Sequence, residues 1–277
     1  MAGTIQGVCI TGTPYTGSTR CPKKEGTTAA LIFTDPAARY PLDPETFRDE
    51  IDDLVYSNGV NRIYPVKNIV YNSPSGGDTN TYDTGSGFVS PGASSQVIDT
   101  FTVDDGDCLY KQLAKLEGRT IRVFRVDIEG FIYGTVVNDE FAGFQCKVKA
   151  RRIQANGTDL YQLYLEVYYT THYEKELKNL HAFELGEAPE GLVPVIVQTV
   201  NGASTVVEEC SGVSVTDLYG DKWQATMFIN STGKAAESVK YNATTETLTI
   251  APTGTYRVAD ASVLSPAGIK GITGVPL

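Results

Sequence analysis

The chain has 277 residues, of which 41% are hydrophobic and 20% charged, a balance typical of globular proteins that excludes wholesale disorder. Its 23 Lys and Arg residues against 33 Asp and Glu residues give a net charge of −10, which counts against a sequence-independent nucleic-acid binder. Two histidines are too few for a histidine-rich metal site, no apolar run is long enough to span a membrane, and no signal peptide is visible. The abundance of Gly, Tyr, Thr and Val favours β structure.

The first sixty residues predict an arm, a strand and an amphipathic helix. Residues 1–26 are rich in Gly, Thr, Pro and Ser and predict an irregular arm, and residues 27–34 predict a strand. Asp43 is expected to cap a helix that starts at Pro44 and ends at Asn58-Gly59. Its buried face is predicted to consist of Phe47, Ile51, Leu54 and Val55. Its opposite face carries acidic residues that we interpret as solvated: Glu45, Asp49, Glu50, Asp52 and Asp53.

A long polar segment follows, between predicted strands at 66–71 and 97–103. Residues 72–96 are dense in Gly, Ser, Thr, Asp and Asn and contain few apolar side chains. Loops longer than about 12–15 residues are uncommon inside compact domains and are usually functional or disordered. We therefore expect 72–96 to be a mobile loop in a monomer and to lie along a neighbouring subunit in an assembly.

A second helix is predicted next, capped by Asp104 or Asp105 and closed by Gly118. Its apolar stripe is expected to consist of Leu109, Leu113 and Leu116. Two strands follow, at 119–127 and 131–137, joined by a turn at Glu129-Gly130.

Residues 144–169 predict a β-hairpin with a two-residue type I′ turn at Asn156-Gly157. With this turn, one face is apolar and opposes Cys146 to Val167, Val148 to Leu165 and Ala150 to Leu163. The other face is polar and opposes Lys147 to Glu166, Lys149 to Tyr164 and Arg151 to Gln162.

The polar face of this hairpin is either solvated or a binding surface. Sheet faces that combine tyrosines with charged residues can be interfaces, and Tyr164 and Tyr168 lie beside the basic residues of the first strand. We therefore define a speculative subunit-contact face, consisting of Lys147, Lys149, Arg151, Tyr164, Glu166 and Tyr168.

The composition changes near residue 186, where GEAPEG (186–191) is typical of a linker. Beyond it, short strands about ten residues apart, with turns such as Asn201-Gly202, predict a β-sandwich. The predicted domains are 1–186 and 187–277. The expected fold class is mainly β: a β-sandwich or barrel domain with one or two flanking helices and a long loop, followed by a small β-sandwich.

The sequence contains no complete motif for phosphate binding, catalysis or calcium binding. Residues 12–19 have the glycine spacing of a phosphate-binding loop but lack its lysine. His172 and His181 are the available bases for a Ser–His–Asp arrangement, and we interpret both as packing residues. The EF-hand pattern fails at Asp104, Asp105 and Asp107, and no two carboxylates are marked as a glycosidase pair. We therefore expect no enzyme, no catalytic, cofactor-binding or metal-binding residue, and no cofactor.

The five cysteines include no C-x-x-C pair. Cys9 and Cys21 could form a disulfide, but the favoured interpretation is that the thiols are reduced, as in proteins made in a cytoplasm.

This layout, a β-rich domain of just under 190 residues with a helix against its sheet, a long polar loop and a small terminal sandwich, resembles tailed-bacteriophage tail-tube proteins. The run VKYNATTETLTIAPTGTYRVADASVL (239–264) is similar to the immunoglobulin-like surface domains of phage structural proteins. The N-terminal part, 1–70, is larger than in the simplest tube subunits, which leaves a capsid-decoration, ring or connector protein open.

The resemblance implies a non-enzymatic virion protein, synthesised in the host cytoplasm, whose subunits form rings by joining their sheets edge to edge. The partners it implies are copies of the chain and other virion proteins, with DNA as passing cargo that is not specifically bound, since an acidic lumen repels it. The arm and loop would order against neighbours, and 187–277 would project outward. The alternative is a monomeric β-sandwich carbohydrate-binding or adhesion module, and an enzyme is the third possibility.

Overall fold

A computed structural model describes residues 26–76, 79–83, 89–103, 107–155 and 161–275. The predicted mainly-β class is confirmed, because strands dominate and build several sheets. The chain divides into two compact units. The first runs to Asp52 and continues from Val60 to Pro189, and the second consists of Asp53–Gly59 and Glu190–Leu277.

The chain up to residue 184 builds one large antiparallel sheet, one small ribbon and three helices among its described residues. In chain order the elements are β1 (Thr28–Thr34), α1 (Pro44–Leu54), β2 (Ile63–Val66), β3 (Ile69–Ser75), β4 (Thr79–Asp83), β5 (Val89–Ser94), β6 (Ile98–Val103), α2 (Asp107–Ala114), β7 (Ile121–Asp127), β8 (Phe131–Val137), β9 (Glu140–Ala142), β10 (Phe144–Ile153), β11 (Gln162–Tyr169), α3 (Tyr173–Lys178) and β12 (Leu180–Glu184). The sheet has the strand order β12-β8-β7-β10-β11-β6-β3, with β1 also paired to β7, β2 to β1 and β9 to β8.

The two faces of the large sheet have different neighbours. Successive residues of a strand point to opposite faces, so Val123 and Phe124 of β7 mark the two sides. Val123 belongs to a core that includes Leu113 of α2, and we call this side the α2 face. Phe124 packs against Phe47 of α1, with ring centroids 6.1 Å apart, and we call this side the α1 face.

Helix α1 covers the α1 face where β7, β9 and β12 lie. Asp43 caps the helix as predicted, because its carboxylate accepts hydrogen bonds from the Thr46 N–H at 2.9 Å and the Thr46 hydroxyl at 2.6 Å. Phe47 is buried at the centre of an aromatic cluster, and Ile51 is buried beside it on the helix. The Phe47 ring lies 5.5–6.1 Å from the rings of Tyr40, Phe124, Phe141 and Phe183.

The predicted end of α1 at Asn58-Gly59 is wrong, since the helix ends at Leu54 and neither residue has a positive φ. After Leu54 the backbone N–H groups of Tyr56 and Ser57 bond to carbonyls three residues back instead of four, which ends the α-helix. The Tyr56 hydroxyl then accepts a hydrogen bond from the Gly271 N–H at 3.1 Å. This contact also explains why Asp53–Gly59 group with the C-terminal residues, an association that the predicted division at 186 and 187 did not include.

The predicted loop at 72–96 is also wrong. Strand β3 continues to Ser75, and β4 and β5 form an antiparallel two-stranded ribbon of their own. The predicted strand at 66–71 is interrupted, since Asn68 has a φ of 56° between β2 and β3. These polar segments lack the alternation of apolar residues that identifies a strand in a sequence, so their composition is that of a loop.

The hairpin is confirmed, but its register differs from the prediction by two residues. Cys146 faces Tyr169, Val148 faces Val167 and Ala150 faces Leu165. A shift of two residues leaves every side chain on its predicted face, so the alternation of the sequence cannot detect it. The Asn156-Gly157 turn, from which the register was derived, lies outside the described residues.

Helix α2 packs with its predicted stripe against the α2 face. Leu113 is buried, Leu109 and Leu116 pack beside it, and the chain turns at Gly118, which has a φ of +75°. The predicted caps Asp104 and Asp105 lie outside the described part of the chain, as do the predicted arm, apart from its last residue, and the segment 12–19.

The C-terminal unit is a small β-sandwich. Its elements are β13 (Val193–Val200), β14 (Ala203–Glu208), α4 (Thr216–Tyr219), β15 (Phe228–Asn230), β16 (Ser238–Asn242), β17 (Thr247–Ala251), β18 (Tyr256–Val258), α5 (Ala261–Leu264) and β19 (Ile272–Gly274). A sheet of order β16-β17-β14-β13-β19 and the pair β15-β18 share one core around Trp223. The predicted Asn201-Gly202 turn is confirmed, with φ values of 51° and 79°.

The state of three cysteines is described by the structure. Cys108 and Cys210 are each disulfide-bonded, so the interpretation as reduced thiols is wrong for both. Sequence spacing cannot reveal such bonds when it holds no close pair. Cys146 is a free, buried thiol whose pKa is raised by burial.

Among the described residues, no helix has the length and apolar character that crossing a membrane requires.

Candidate subunit-contact face

The structure brings all six residues of the predicted contact face together on adjacent strands. Lys147, Lys149 and Arg151 alternate along β10, and their cross-strand partners on β11 are Tyr168, Glu166 and Tyr164 respectively. The three basic residues are exposed and the three β11 residues are partly exposed. These pairs differ from the predicted ones because of the two-residue shift, but the set of residues on the face is the same.

Glu166 is the hydrogen-bonding centre of this face. Its carboxylate pairs with the Arg151 guanidinium at 3.2 Å and accepts a hydrogen bond from the Tyr168 hydroxyl at 2.6 Å. That hydrogen bond to a carboxylate raises the pKa of Tyr168. The Arg151 guanidinium also lies over the Tyr164 ring, 5.2 Å from its centroid. One acid thus holds the side chains of both strands in a fixed arrangement.

The contact face continues across two strands that the sequence did not associate with it. Strand β6 pairs with β11 and places Thr100 opposite Glu166 and Thr102 opposite Tyr164. Strand β3 pairs with β6 and places Val70 opposite Thr102. Val70, the second residue of β3, is 61% exposed, which is unusual for a valine within a strand. The pairing of β3 with β6, and of β6 with β11, joins distant parts of the chain, so no local signal could have revealed it.

The contact face and α1 occupy the same side of the sheet. Phe144 and Cys146 of β10 pair with Val123 and Ile121 of β7, and all four residues belong to the core on the α2 face. Lys147 and the residues that alternate with it therefore point to the α1 face. Helix α1 covers this face over β7, β9 and β12, whereas the part formed by β10, β11, β6 and β3 is the contact face.

The candidate bases from the sequence lie elsewhere. His181 is buried on β12 between the rings of Phe141 and Phe183, whose centroids lie 5.3 and 5.6 Å away, and burial lowers its pKa. His172 is exposed and directly precedes α3. Neither histidine therefore lies on the contact face, and the structure does not place the two together in one site.

The remaining candidate acid, Asp107, lies at the start of α2. Its carboxylate accepts hydrogen bonds from Arg152 at 3.1 Å and from Tyr161 at 3.0 Å, and these bonds lower its pKa. Within the described ranges, no group of three or more His, Cys, Asp or Glu side chains is arranged to hold a metal ion.

A cleft of about 610 Å³ in the first unit lies between β1, the start of β3 and the end of β7. Its charged groups are engaged within the chain. The Lys67 ammonium pairs with Glu187 at 2.9 Å, and the Asp127 carboxylate accepts hydrogen bonds from the N–H groups of Glu129 and Phe131. These bonds tie the strand ends together, so the cleft is less suited to binding than the contact face.

Comparison with family models, curated proteins and solved structures finds no match to this chain.

Proposed function

We propose that this chain is a non-enzymatic structural subunit of a phage particle, one that assembles with copies of itself into the rings of a tail tube or a related component. The observation that carries the proposal is the α1 face of the sheet, which α1 covers at one end and which is exposed as the contact face at the other. The resemblance in layout to tail-tube proteins supports the assignment to a phage particle. The contact face provides the surface through which copies of the chain would assemble.

The composition of the contact face favours a protein partner. It combines two tyrosines, an arginine and an exposed valine, and aromatic residues and arginine are enriched in protein interfaces. Its side chains are already held in place by Glu166, so little conformational entropy would be lost on binding.

The ends of the sheet also suit assembly. Strands β12 and β3 terminate the path of the sheet, and in the described part of the chain each forms a ladder with one neighbour only. Unpaired backbone groups along an edge strand are available to extend a sheet into another molecule. This is the edge-to-edge joining that the resemblance implies.

The β4–β5 ribbon is a second extension that suits a neighbour. A two-stranded ribbon on its own is marginally stable in water, and this one has mostly polar residues. Its two ends meet, since a Cβ on Gly76 would lie 1.9 Å from the carbonyl oxygen of Gln96. The ribbon is therefore an insertion whose stability a neighbouring subunit would increase.

The alternative function, carbohydrate binding, requires aromatic rings that are free to stack on a sugar. The Arg151 guanidinium occupies a face of the Tyr164 ring, and the Tyr168 hydroxyl is bonded to Glu166. Both features favour an interface between proteins over a sugar platform.

Light scattering and negative-stain imaging of the purified chain, over a range of concentrations, test this proposal. We expect rings or tubes of uniform diameter. Substitution of both Tyr164 and Tyr168 by serine should weaken assembly, whereas the control Tyr64→Ser, at a tyrosine 48% exposed on β2, should leave it intact. A chain that stays monomeric at high concentration and binds glycans would contradict the proposal and favour the alternative.

A further inference from the structure

The contact face carries a line of positive charge. Lys147, Lys149 and Arg151 lie at alternate positions of β10 and so extend over about 13 Å. None of the ion pairs between described residues involves Lys147 or Lys149, and Arg151 shares its charge with Glu166. We call these three residues the basic strip. It is notable in a chain whose net charge is −10.

Helix α1 carries a matching line of negative charge on its outer side. Glu45, Asp49 and Asp52 are exposed and are spaced by four and three residues, so they form one stripe of about 10.5 Å. The last turn of α1 has no basic residue to balance Asp52, although the helix dipole disfavours a carboxylate at that end. We call these three residues the acidic stripe.

The basic strip and the acidic stripe belong to different regions of the same sheet face. The acidic stripe lies on a helix whose opposite side packs on Phe124, Phe141 and Phe183, in strands β7, β9 and β12. The basic strip lies on β10 beyond the residues that pair with β7. Among the described residues, no ion pair joins the basic strip to the acidic stripe within one chain, so each is available to a neighbour.

We propose that the basic strip of one copy binds the acidic stripe of α1 in the next copy. This inference rests on the proposed self-assembly and names the surfaces that perform it. Opposite charges in lines of similar length provide the complementarity, and they fix the orientation of one copy on the next. Because the two surfaces differ, the contact is head-to-tail, and repeating it closes a ring or builds an open filament.

Charge reversal tests the pairing. One variant combines Lys147→Glu, Lys149→Glu and Arg151→Glu, and the other combines Glu45→Lys, Asp49→Lys and Asp52→Lys. Each variant alone should need a protein concentration more than about tenfold higher than wild type to assemble, because like charges then meet at every contact. An equimolar mixture should assemble again, since each copy now offers a charge that the other variant complements.

Matched controls separate this effect from net charge. Reversal of Lys115, Lys175 and Lys178, or of Asp221, Glu237 and Glu246, changes the net charge equally at exposed residues elsewhere. Both controls should assemble as wild type does, and circular dichroism should show every variant folded.

The outcomes distinguish this inference from the proposed function. If wild type assembles and either reversal variant assembles equally well, the pairing is overturned and self-assembly stands. If both variants are folded and monomeric and their mixture stays monomeric, the pairing is also overturned. A wild-type chain that does not assemble overturns both.

Discussion

The two ends of the α1 face use the same strand geometry for different purposes. At the covered end, Phe124, Phe141 and Phe183 pack around Phe47 and exclude water. At the open end, β10 places Lys149 and Arg151 in solvent, and Tyr164 and Glu166 of β11 are partly exposed beside them. One end is completed within the chain, whereas we propose that the other is completed by a second copy. Substitutions at the covered end should therefore change folding stability, whereas substitutions at the open end should change assembly.

The largest expected effect is on the covered end. Phe47→Ala removes a fully buried ring that contacts four others, and it should lower the free energy of unfolding by about 3–5 kcal/mol. Urea denaturation of the variant and of wild type measures the difference. A loss below about 1 kcal/mol would show that α1 is not an integral part of this core.

A smaller loss is expected from overfilling the same core. A Cβ on Gly134 of β8 would lie 2.6–2.8 Å from Ala142, Phe141 and Phe124. Gly134→Ala should therefore destabilise the fold by about 1–3 kcal/mol, because the aromatic rings must shift to admit a methyl group. Gly118→Ala is not a suitable control because Gly118 has a positive φ, so we would use Thr120→Ala, at an exposed residue, for comparison of thermal unfolding.

The covered end should also make stability depend on pH. Burial lowers the pKa of His181 in the folded chain, so below its ordinary value of 6.5 the unfolded chain binds a proton more readily than the folded chain. Stability should therefore fall as the pH decreases from about 7 to 5, by up to about 1.4 kcal/mol per pH unit. Urea denaturation at each pH would measure this fall. His181→Phe should reduce the dependence, and an unchanged pH profile in that variant would exclude His181 as its source.

The smallest effect on stability is expected at the open end. Lys149→Ala removes an exposed side chain and should change the free energy of unfolding by less than about 0.5 kcal/mol. The same variant should need a higher concentration to assemble, as measured by light scattering, because it removes the central charge of the basic strip. Equal assembly with wild type would place the contact elsewhere on the surface.

The sequence predicted those parts of the fold that depend on neighbours in the chain. Asp43 and Pro44 located the start of α1, and alternation along 144–169 assigned each hairpin side chain to the correct face. The same alternation does not determine the register of the hairpin. A period of two residues does not distinguish the predicted pairing of Cys146 with Val167 from the observed pairing with Tyr169.

Contacts between distant segments escaped prediction altogether. Tyr56 accepts a hydrogen bond from Gly271, more than 200 residues away in the chain. Val70 lies on the contact face because β3 pairs with β6 and β6 pairs with β11. The six residues of the contact face were identified because they lie in one hairpin. The relation of that face to α1 needed the order of the strands in the sheet.

A cross-link between two chains tests directly whether the basic strip of one copy meets the acidic stripe of another. Lys149→Cys and Asp49→Cys would be introduced into separate chains, which are mixed under assembly conditions and oxidised mildly. We expect a covalent dimer whose linking peptides contain positions 49 and 149, and far less linkage when Lys178→Cys replaces Lys149→Cys. Assemblies that form without the link between 49 and 149, or that link equally through 178, would contradict it.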